Sequence, residues 1–251
     1  MLFTSQTGIF SIRKLLLMVI NSFSATDNIM SDVAIGNFQR VIQEQGYLYL
    51  EELPDNFDHL AFAEKFGSLI PHKYNNEYIF SIKVEPKLGE RYPAFTTNEV
   101  EPHTESYEYD HPLHYQSLWC VTPAKCGGGH TLLADGYAFV NSLSDEEREY
   151  ITKNKFDFIT PWGSIVKHPL YDVESYSQPI VRFNFSNLKR EDDAYLDDIA
   201  KRFLRFFDDE KISIKWSKNA FLIWDNFRML HSRTQYQDRD RELKRVYMND
   251  K

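Results

Sequence analysis

Short apolar runs that end at turn-forming residues dominate the chain, and this pattern constrains its fold more than any other feature of the sequence. Runs of this kind, rich in β-branched and aromatic side chains, predict strands. We predict strands at residues 47–50, 78–84, 115–121, 131–134, 180–185, 220–224 and 246–248. So many short strands, with helical patterns at only a few points, indicate a mainly β fold with flanking helices, arranged as a double-sheet barrel.

Helical periodicity predicts four flanking helices. They cover residues 38–45, 60–66, 143–154 and 192–210. Gly46 and Gly67 are predicted to end the first two helices, and Ser144 to cap the third. Because no internal repeat and no low-complexity linker divides the chain, we expect residues 31–251 to form a single domain.

Residues 1–30 differ from the rest of the chain. Arg13 and Lys14 precede a run of six apolar residues at 15–20, which imitates a secretory signal. The run is shorter than the ~7–15 residues that such signals use. We therefore predict a disordered extension, or an upstream segment that is absent if translation starts at Met18 or Met30. A working signal is the less favoured alternative.

Cysteine content and charge limit the compartment and the partners. Cys120 and Cys126 lack the second pair that a structural zinc site would need, and we predict reduced thiols in a cytoplasmic protein. Lys and Arg total 29 against 37 Asp and Glu, a net charge of −8. Without a basic field, nucleic acid and membrane are not expected as partners. A small-molecule substrate is expected instead. The sequence leaves the oligomeric state open.

Two separated motifs predict a metal centre. In an extended segment, His103 and Glu105 point to the same face because they lie two positions apart. His231 follows Glu105 by 126 positions. Two imidazoles and one carboxylate form the ligand set of non-haem Fe(II) oxygenases, and they leave three positions of an octahedron open. Those positions can hold a bidentate cosubstrate and O₂.

A cluster of arginines after His231 predicts an anion site. Arg241 and Arg245 lie at the start of the predicted last strand, where an inward guanidinium can bind a carboxylate with two hydrogen bonds. Thr131 opens another strand and can add a hydroxyl donor. Arg239 fits a solvated loop better. Spacing alone leaves open which of the three arginines binds the anion.

These motifs occur in an order that resembles a known family. The segments are Pro102-His103-Thr104-Glu105, Trp119-Cys120-Val121-Thr122-Pro123-Ala124, Gly127-Gly128-Gly129-His130-Thr131, Trp224-Asp225-Asn226, Leu230-His231-Ser232-Arg233-Thr234 and Asp240-Arg241-Glu242-Leu243-Lys244-Arg245. Together they resemble the taurine dioxygenase/clavaminate synthase-like superfamily of Fe(II)- and 2-oxoglutarate-dependent oxygenases. Glu in place of the commoner Asp resembles the branch of clavaminate synthase and the arginine hydroxylases.

The resemblance implies a double-stranded β-helix, or jelly roll, and a role for each matching residue. His103, Glu105 and His231 would bind Fe(II). Thr131 and Arg241 would bind the distal carboxylate of 2-oxoglutarate, with Arg239 or Arg245 as substitutes for Arg241. Arg245 and Asn98 would meet the substrate.

The implied reaction couples decarboxylation of 2-oxoglutarate to succinate and CO₂ with oxidation of a substrate C–H bond. Hydroxylation of a small amino-acid-like, amine or acid substrate is the first expectation. Desaturation or cyclisation by the same centre is an alternative, as is a catalytically silent jelly-roll protein that binds a small anion. A zinc hydrolase that uses the same three ligands is a further alternative, but it would have no task for Thr131 and Arg241.

Overall fold

A computed structural model describes residues 29–73, 75–90, 92–125 and 127–251. The expectation for the N-terminal extension falls on residues 1–30, of which 1–28 lie outside the described residues. Cys126, for which a reduced thiol is predicted, also lies outside the described residues. Cys120 is described, and it is a free and buried cysteine.

The described residues form fourteen strands, six α-helices and one 3₁₀ turn at Pro93–Phe95. The helices are α1 (Asp32–Gln45), α2 (His59–Ala63), α3 (Pro86–Gly89), α4 (Gly136–Ser142), α5 (Asp145–Lys153) and α6 (Ala194–Glu210). The strands are β1 (Tyr47–Leu50), β2 (Ser68–Ile70), β3 (Phe80–Ile82), β4 (Val100–His103), β5 (Tyr115–Thr122), β6 (Thr131–Asp135), β7 (Phe156–Ile159), β8 (Ile165–His168), β9 (Tyr171–Asp172), β10 (Ile180–Val181), β11 (Ile212–Ile214), β12 (Phe221–Asp225), β13 (Met229–Arg233) and β14 (Glu242–Asn249).

Two antiparallel sheets make the barrel. The major sheet has the order β1-β12-β5-β14-β2, and β3 also pairs with β14. The minor sheet has the order β11-β6-β13-β4. β7 with β8 and β9 with β10 form two further pairs. The prediction of a mainly β, jelly-roll fold with flanking helices is confirmed.

Strand β12 shows how the sheets are covered on both sides. Leu222 and Trp224 point into the core between the two sheets, with Leu118 and Leu243 from neighbouring strands. Phe221 and the other alternate residues of β12 point the opposite way, toward α1 and α2. A strand that is buried on both faces has a continuous run of apolar residues, because neither face is exposed to water.

The helices cover the outer faces through their apolar stripes. α1 buries Phe38 and Ile42 against the major sheet and ends at Gly46, which has φ 87° as predicted for a left-handed C-cap. α6 buries its stripe against the minor sheet, and Phe203 stacks on Phe139 of α4 at 4.0 Å. Ser144 caps α5 as predicted, and together with Glu147 it forms a capping box. No helix of the described ranges is both long and apolar enough to cross a membrane.

Some predicted elements are shorter than expected, among them the strand predicted over 78–84, which forms only β3 (Phe80–Ile82). The helix predicted over 60–66 is α2, which ends at Ala63. Gly67 does not cap it in the left-handed region; a Cβ at Gly67 would collide with the main chain of Asn249, so close packing explains this glycine. The strand predicted over 180–185 pairs only as β10, because Phe183 turns to exchange hydrogen bonds with Thr104.

Candidate metal centre and cavity

The minor sheet brings His103 and His231 together. His103 ends β4 and lies opposite His231 in β13. Their ring centroids are 4.1 Å apart. Thr104 turns away from them into the core, where its amide and hydroxyl bond to the main chain of Phe183. This places Glu105 back on the side of the two rings, as the alternation of an extended segment predicts.

These three side chains, called here the metal end, present one ligand atom each. Nε2 of His103 and Nε2 of His231 both lie 4.0 Å from Oε2 of Glu105. Among the described residues, they form the one group of three or more His, Cys, Asp and Glu side chains that could hold a metal ion. Nδ1 of His103 lies 2.8 Å from the carbonyl of Glu101 and donates to it, which leaves Nε2 as the lone-pair atom.

Charge and burial set the protonation states that a metal requires. Burial opposes ionisation of Glu105, but Arg245, with Nη1 3.5 Å from Oε2, together with His103 and the hydroxyl of Tyr247, lowers its pKa. Burial, with help from His103 and Arg245, holds the pKa of His231 well below its usual value. A carboxylate and two neutral imidazoles fit a divalent cation such as Fe(II).

The backbone of Glu105 is held by one amide side chain. Oδ1 of Asn226 accepts from the amide of Glu105 at 2.7 Å, and Nδ2 donates to its carbonyl at 2.9 Å and to the carbonyl of Leu113 at 2.9 Å. Asn226 lies in the turn between β12 and β13, five residues before His231. The two halves of the ligand set are therefore fixed to each other through this turn.

Thr131 and Arg241, called here the anion end, lie in the same cavity. Arg241 is 1% exposed, and its Nη2 donates to the carbonyl of Gly129 at 2.9 Å. Its Nε and Nη1 have no hydrogen-bond partner among the described residues. Gly129 has φ 66°, and a Cβ there would lie 2.7 Å from Nε of Arg241, so only glycine fits beside this guanidinium.

The register of the minor sheet sets the separation of the two ends. His231 pairs with Leu133, and Arg233 pairs with Thr131. Thr131 therefore lies two residues along the strand from the level of His231, a distance of about 6.8 Å. Nε1 of Trp216 donates to Oγ1 of Thr131 at 3.1 Å, so the hydroxyl proton is free to be donated elsewhere.

One cavity of about 990 Å³ joins the two ends and opens to solvent. Two exposed acidic side chains, Glu99 and Glu101, line the cavity near solvent. The carboxylate of Glu108 also lines the cavity but is buried. Lys73 lies there as well, 43% exposed, with Nζ 3.9 Å from Oε1 of Glu108. Nζ also donates to the hydroxyl of Tyr109 at 3.0 Å and lies 4.5 Å from the ring of Trp162. Lys73 thus joins three segments at the mouth of the cavity.

The structure separates the three candidate arginines. Arg241 occupies the anion end, whereas Arg239 is exposed and Arg245 contacts Glu105 at the metal end. Asn98 is exposed and does not line the cavity; its carbonyl accepts from Arg233 and its amide donates to Oγ1 of Thr96. The structure therefore does not bring Asn98 to the site, because the chain turns outward before β4.

Sequence reasoning missed several cavity residues. Tyr247 follows Arg245 by two positions on β14, so alternation along that strand could have found it. His72 is another such residue, and its Nε2 accepts from Nη2 of Arg245 at 2.9 Å. Burial, then Arg245, lowers the pKa of His72 to about 3, which keeps the ring neutral. No motif signals Gln116, which lines the cavity from β5.

A family model described as taurine catabolism dioxygenase TauD, TfdA family matches residues 22–247. A curated relative, gamma-butyrobetaine dioxygenase of Homo sapiens, is 25% identical over 196 residues, which are 70% of this chain and 50% of that protein. The chain thus spans about half the length of the curated relatives it matches.

Solved structures share the fold. An asparagine oxygenase in complex with Fe(II), 2S,3S-3-hydroxyasparagine and succinate superposes with a TM-score of 0.72 at 17% identity, over 86% of this chain and 77% of that one. A putative alpha-ketoglutarate-dependent taurine dioxygenase from Burkholderia xenovorans has a TM-score of 0.69 at 21% identity, over 88% and 85%. At these identities the likeness shows the jelly-roll architecture.

Proposed function

The chain belongs to the taurine catabolism dioxygenase TauD, TfdA family, and from that premise we propose that it is a non-haem Fe(II)- and 2-oxoglutarate-dependent oxygenase. We also propose that residues 31–251 form its single catalytic domain. One observation carries the proposal: His103, Glu105 and His231 share a cavity with Arg241, a buried guanidinium with two nitrogens that lack a hydrogen-bond partner among the described residues. A metal hydrolase has no use for that guanidinium.

His103, Glu105 and His231 would hold Fe(II). Bound iron would supply the O₂-dependent chemistry that couples decarboxylation of 2-oxoglutarate, to succinate and CO₂, with oxidation of a substrate C–H bond. Arg245 helps to keep Glu105 ionised, and burial keeps His231 neutral, so both present lone pairs at neutral pH. Asn226 holds the main chain of Glu105 so that the carboxylate stays level with the two rings.

Arg241 and Thr131 would bind the distal carboxylate of 2-oxoglutarate. Nε and Nη1 of Arg241 can bond both oxygens, and the hydroxyl proton of Thr131 can add a third hydrogen bond. The separation of about 6.8 Å along β13 suits a five-carbon dicarboxylate whose other end lies at the metal. Burial of Arg241 strengthens this charge pair because water cannot screen it.

The substrate we propose is a small amino-acid-like molecule that is hydroxylated. Arg245 lies at the metal end for a carboxylate, and Glu108 and Glu101 lie toward the mouth for a cationic group. Glu105 in place of Asp supports placement in the clavaminate synthase-like branch. Desaturation or cyclisation by the same residues would need no different site. The buried free thiol of Cys120 supports a reducing, cytoplasmic location.

Anaerobic absorption spectroscopy tests the proposal. Fe(II) and 2-oxoglutarate are added in turn to the apo-protein, and we expect a visible charge-transfer band that requires both. Succinate release then screens amino acids and amines as substrates. Absence of the band in folded protein would favour a silent binding protein, and turnover of a substrate without O₂ would favour a hydrolase.

A further inference from the structure

Three buried polar atoms close to His231 have no hydrogen-bond partner among the described residues. They are Oε1 of Gln116, Nε1 of Trp224 and Nδ1 of His231. The three residues are only 3%, 0% and 8% exposed. Buried polar groups are normally satisfied by protein atoms or by ordered water, since leaving them unpaired costs free energy. Three such atoms in one neighbourhood can share a partner.

The register of the major sheet places Gln116 behind the metal end. Gln116 in β5 lies directly opposite Trp224 in β12 on one side and opposite Tyr247 in β14 on the other. All three side chains point to the inner face. The ring of Trp224 is 5.0 Å from the ring of His231, and the hydroxyl of Tyr247 bonds to Glu105. Gln116 thus lies between the residues that contact two of the three metal ligands.

The donor and acceptor types of the three atoms complement one another. Nε2 of His231 faces Glu105, so a metal bound there forces the proton onto Nδ1, which becomes a donor. Nε1 of Trp224 is always a donor, and Oε1 of Gln116 is an acceptor. Two donors and one acceptor are the set that one water molecule joins, because it accepts two hydrogen bonds and donates another.

We propose that one buried water molecule accepts from Nδ1 of His231 and Nε1 of Trp224 and donates to Oε1 of Gln116. Gln116 is thereby a positioning residue for His231: it fixes the ring orientation and the tautomer that leaves Nε2 free to bind metal. Because His231 is a metal ligand only by the function proposed above, this inference rests on that proposal.

Metal titration of the apo-protein tests the role of Gln116. Mn(II) binding is measured by calorimetry for wild type, Gln116→Leu and Gln116→Glu. We expect Gln116→Leu to lower the Mn(II) affinity by roughly 10- to 100-fold, as for other outer partners of metal ligands. Gln116→Glu keeps an acceptor oxygen and should retain most of the affinity, whereas Gln116→Met fills the same space without an acceptor and should lose it; full affinity in Gln116→Met would indicate a packing role.

Ser117→Ala is the matched control. Ser117 is the next residue of β5, is equally buried and faces away from the cavity, so its loss should leave Mn(II) affinity unchanged. A wild-type protein that fails to bind Mn(II) would overturn the metal centre itself. Wild-type binding together with wild-type affinity in a folded Gln116→Leu variant would overturn only the role of Gln116.

A spectroscopic measurement keeps the test valid if Gln116→Leu does not fold. In Zn(II)-loaded wild type, the Nδ1 proton of His231 should give a slowly exchanging imidazole NMR signal. Trp224→Phe removes one donor to the water and should shift that signal without abolishing it. A rapidly exchanging Nδ1 proton, or a crystal structure with no water between these atoms, would overturn the proposal.

Discussion

The metal end and the anion end of the cavity differ in how their polar atoms are satisfied. At the metal end, surrounding groups hold the ligands: the carbonyl of Glu101 accepts from His103, and Arg245 and Asn226 fix Glu105. At the anion end, Arg241 donates to the carbonyl of Gly129 and interacts with Tyr236, and its Nε and Nη1 have no partner at hydrogen-bond geometry within the described part of the chain.

Opposite ligand charges explain this difference. A cation needs converging acceptors, and their mutual repulsion requires a nearby positive group such as Arg245. An anion needs donors that nothing else uses. The buried guanidinium of Arg233 makes the contrast clear, because it donates to four carbonyls and shares the ring of Tyr236 with Arg241, each at 5.0 Å. Two neighbouring arginines thus have different tasks.

The largest expected effect comes from breaking the metal end. Glu105→Ala removes the one anionic ligand, and we expect it to lower Fe(II) affinity more than the roughly 10- to 100-fold typical of outer partners and to abolish succinate formation. Calorimetry with Mn(II) and a succinate assay measure the two effects. Glu99→Gln, at an exposed carboxylate of the same cavity, is the control and should bind metal normally. Normal binding by Glu105→Ala would exclude this metal centre.

Breaking the anion end should separate cosubstrate from metal. We expect Arg241→Met to raise the KM for 2-oxoglutarate by about 100-fold, or ~2.7 kcal/mol, because a buried charge pair is lost. Mn(II) affinity should remain that of wild type. Arg239→Met, at the exposed arginine two positions earlier, should change neither value. An unchanged KM in Arg241→Met would mean that another group binds the distal carboxylate.

Arg233→Met sharpens the comparison between the two arginines. Four carbonyls lose their donor, so we expect the free energy of unfolding to fall by about 3 kcal/mol. The KM for 2-oxoglutarate should rise less than in Arg241→Met. Urea unfolding and steady-state kinetics on both variants give the two values. Equal stability of the two variants, with equal KM, would remove the distinction between a structural and a ligand-binding arginine.

The smallest expected effect is a pH dependence at the metal end. His72 has a folded pKa of about 3, because burial and then Arg245 disfavour its cation, whereas an unfolded histidine titrates near 6.5. Between these values the unfolded chain binds a proton that the folded chain does not. The free energy of unfolding of the apo-protein should therefore fall as pH drops below 6.5. His72→Gln should make this fall less steep, because unfolding then takes up about one proton fewer.

His114 supplies the opposite sign as a comparison. Burial disfavours its cation, but Asp225 and Asp250 outweigh burial and raise its pKa. Its contribution to stability is present below 6.5 and is lost as pH rises through the folded pKa. His114→Gln should therefore leave the slope below 6.5 unchanged and should remove a loss of stability that the wild type shows as pH rises above 6.5. A His72→Gln slope equal to wild type below 6.5 would contradict the first assignment, and a His114→Gln slope equal to wild type above 6.5 would contradict the second.

Much of the fold could be predicted from sequence, because short apolar runs indicate strands and apolar residues at helical spacing indicate helices. The group of side chains that could hold a metal ion could be predicted, because His103 and Glu105 share a short motif. The choice among the arginines could not, since Arg239 and Arg241 have the same local pattern and only the packing of Gly129 against one of them decides. Gln116 could not be predicted either: its role depends on register with two strands far away in sequence.

The contacts of Lys73 bear on how fast a substrate enters. Its ammonium bridges Glu108, Tyr109 and Trp162 across the mouth, and entry past these groups competes with that bridge. A half-exposed charge contact weakens as ionic strength rises, because the Debye length shortens from ~10 Å at 0.1 M to ~3 Å at 1 M. The association rate of a substrate is therefore expected to depend on salt.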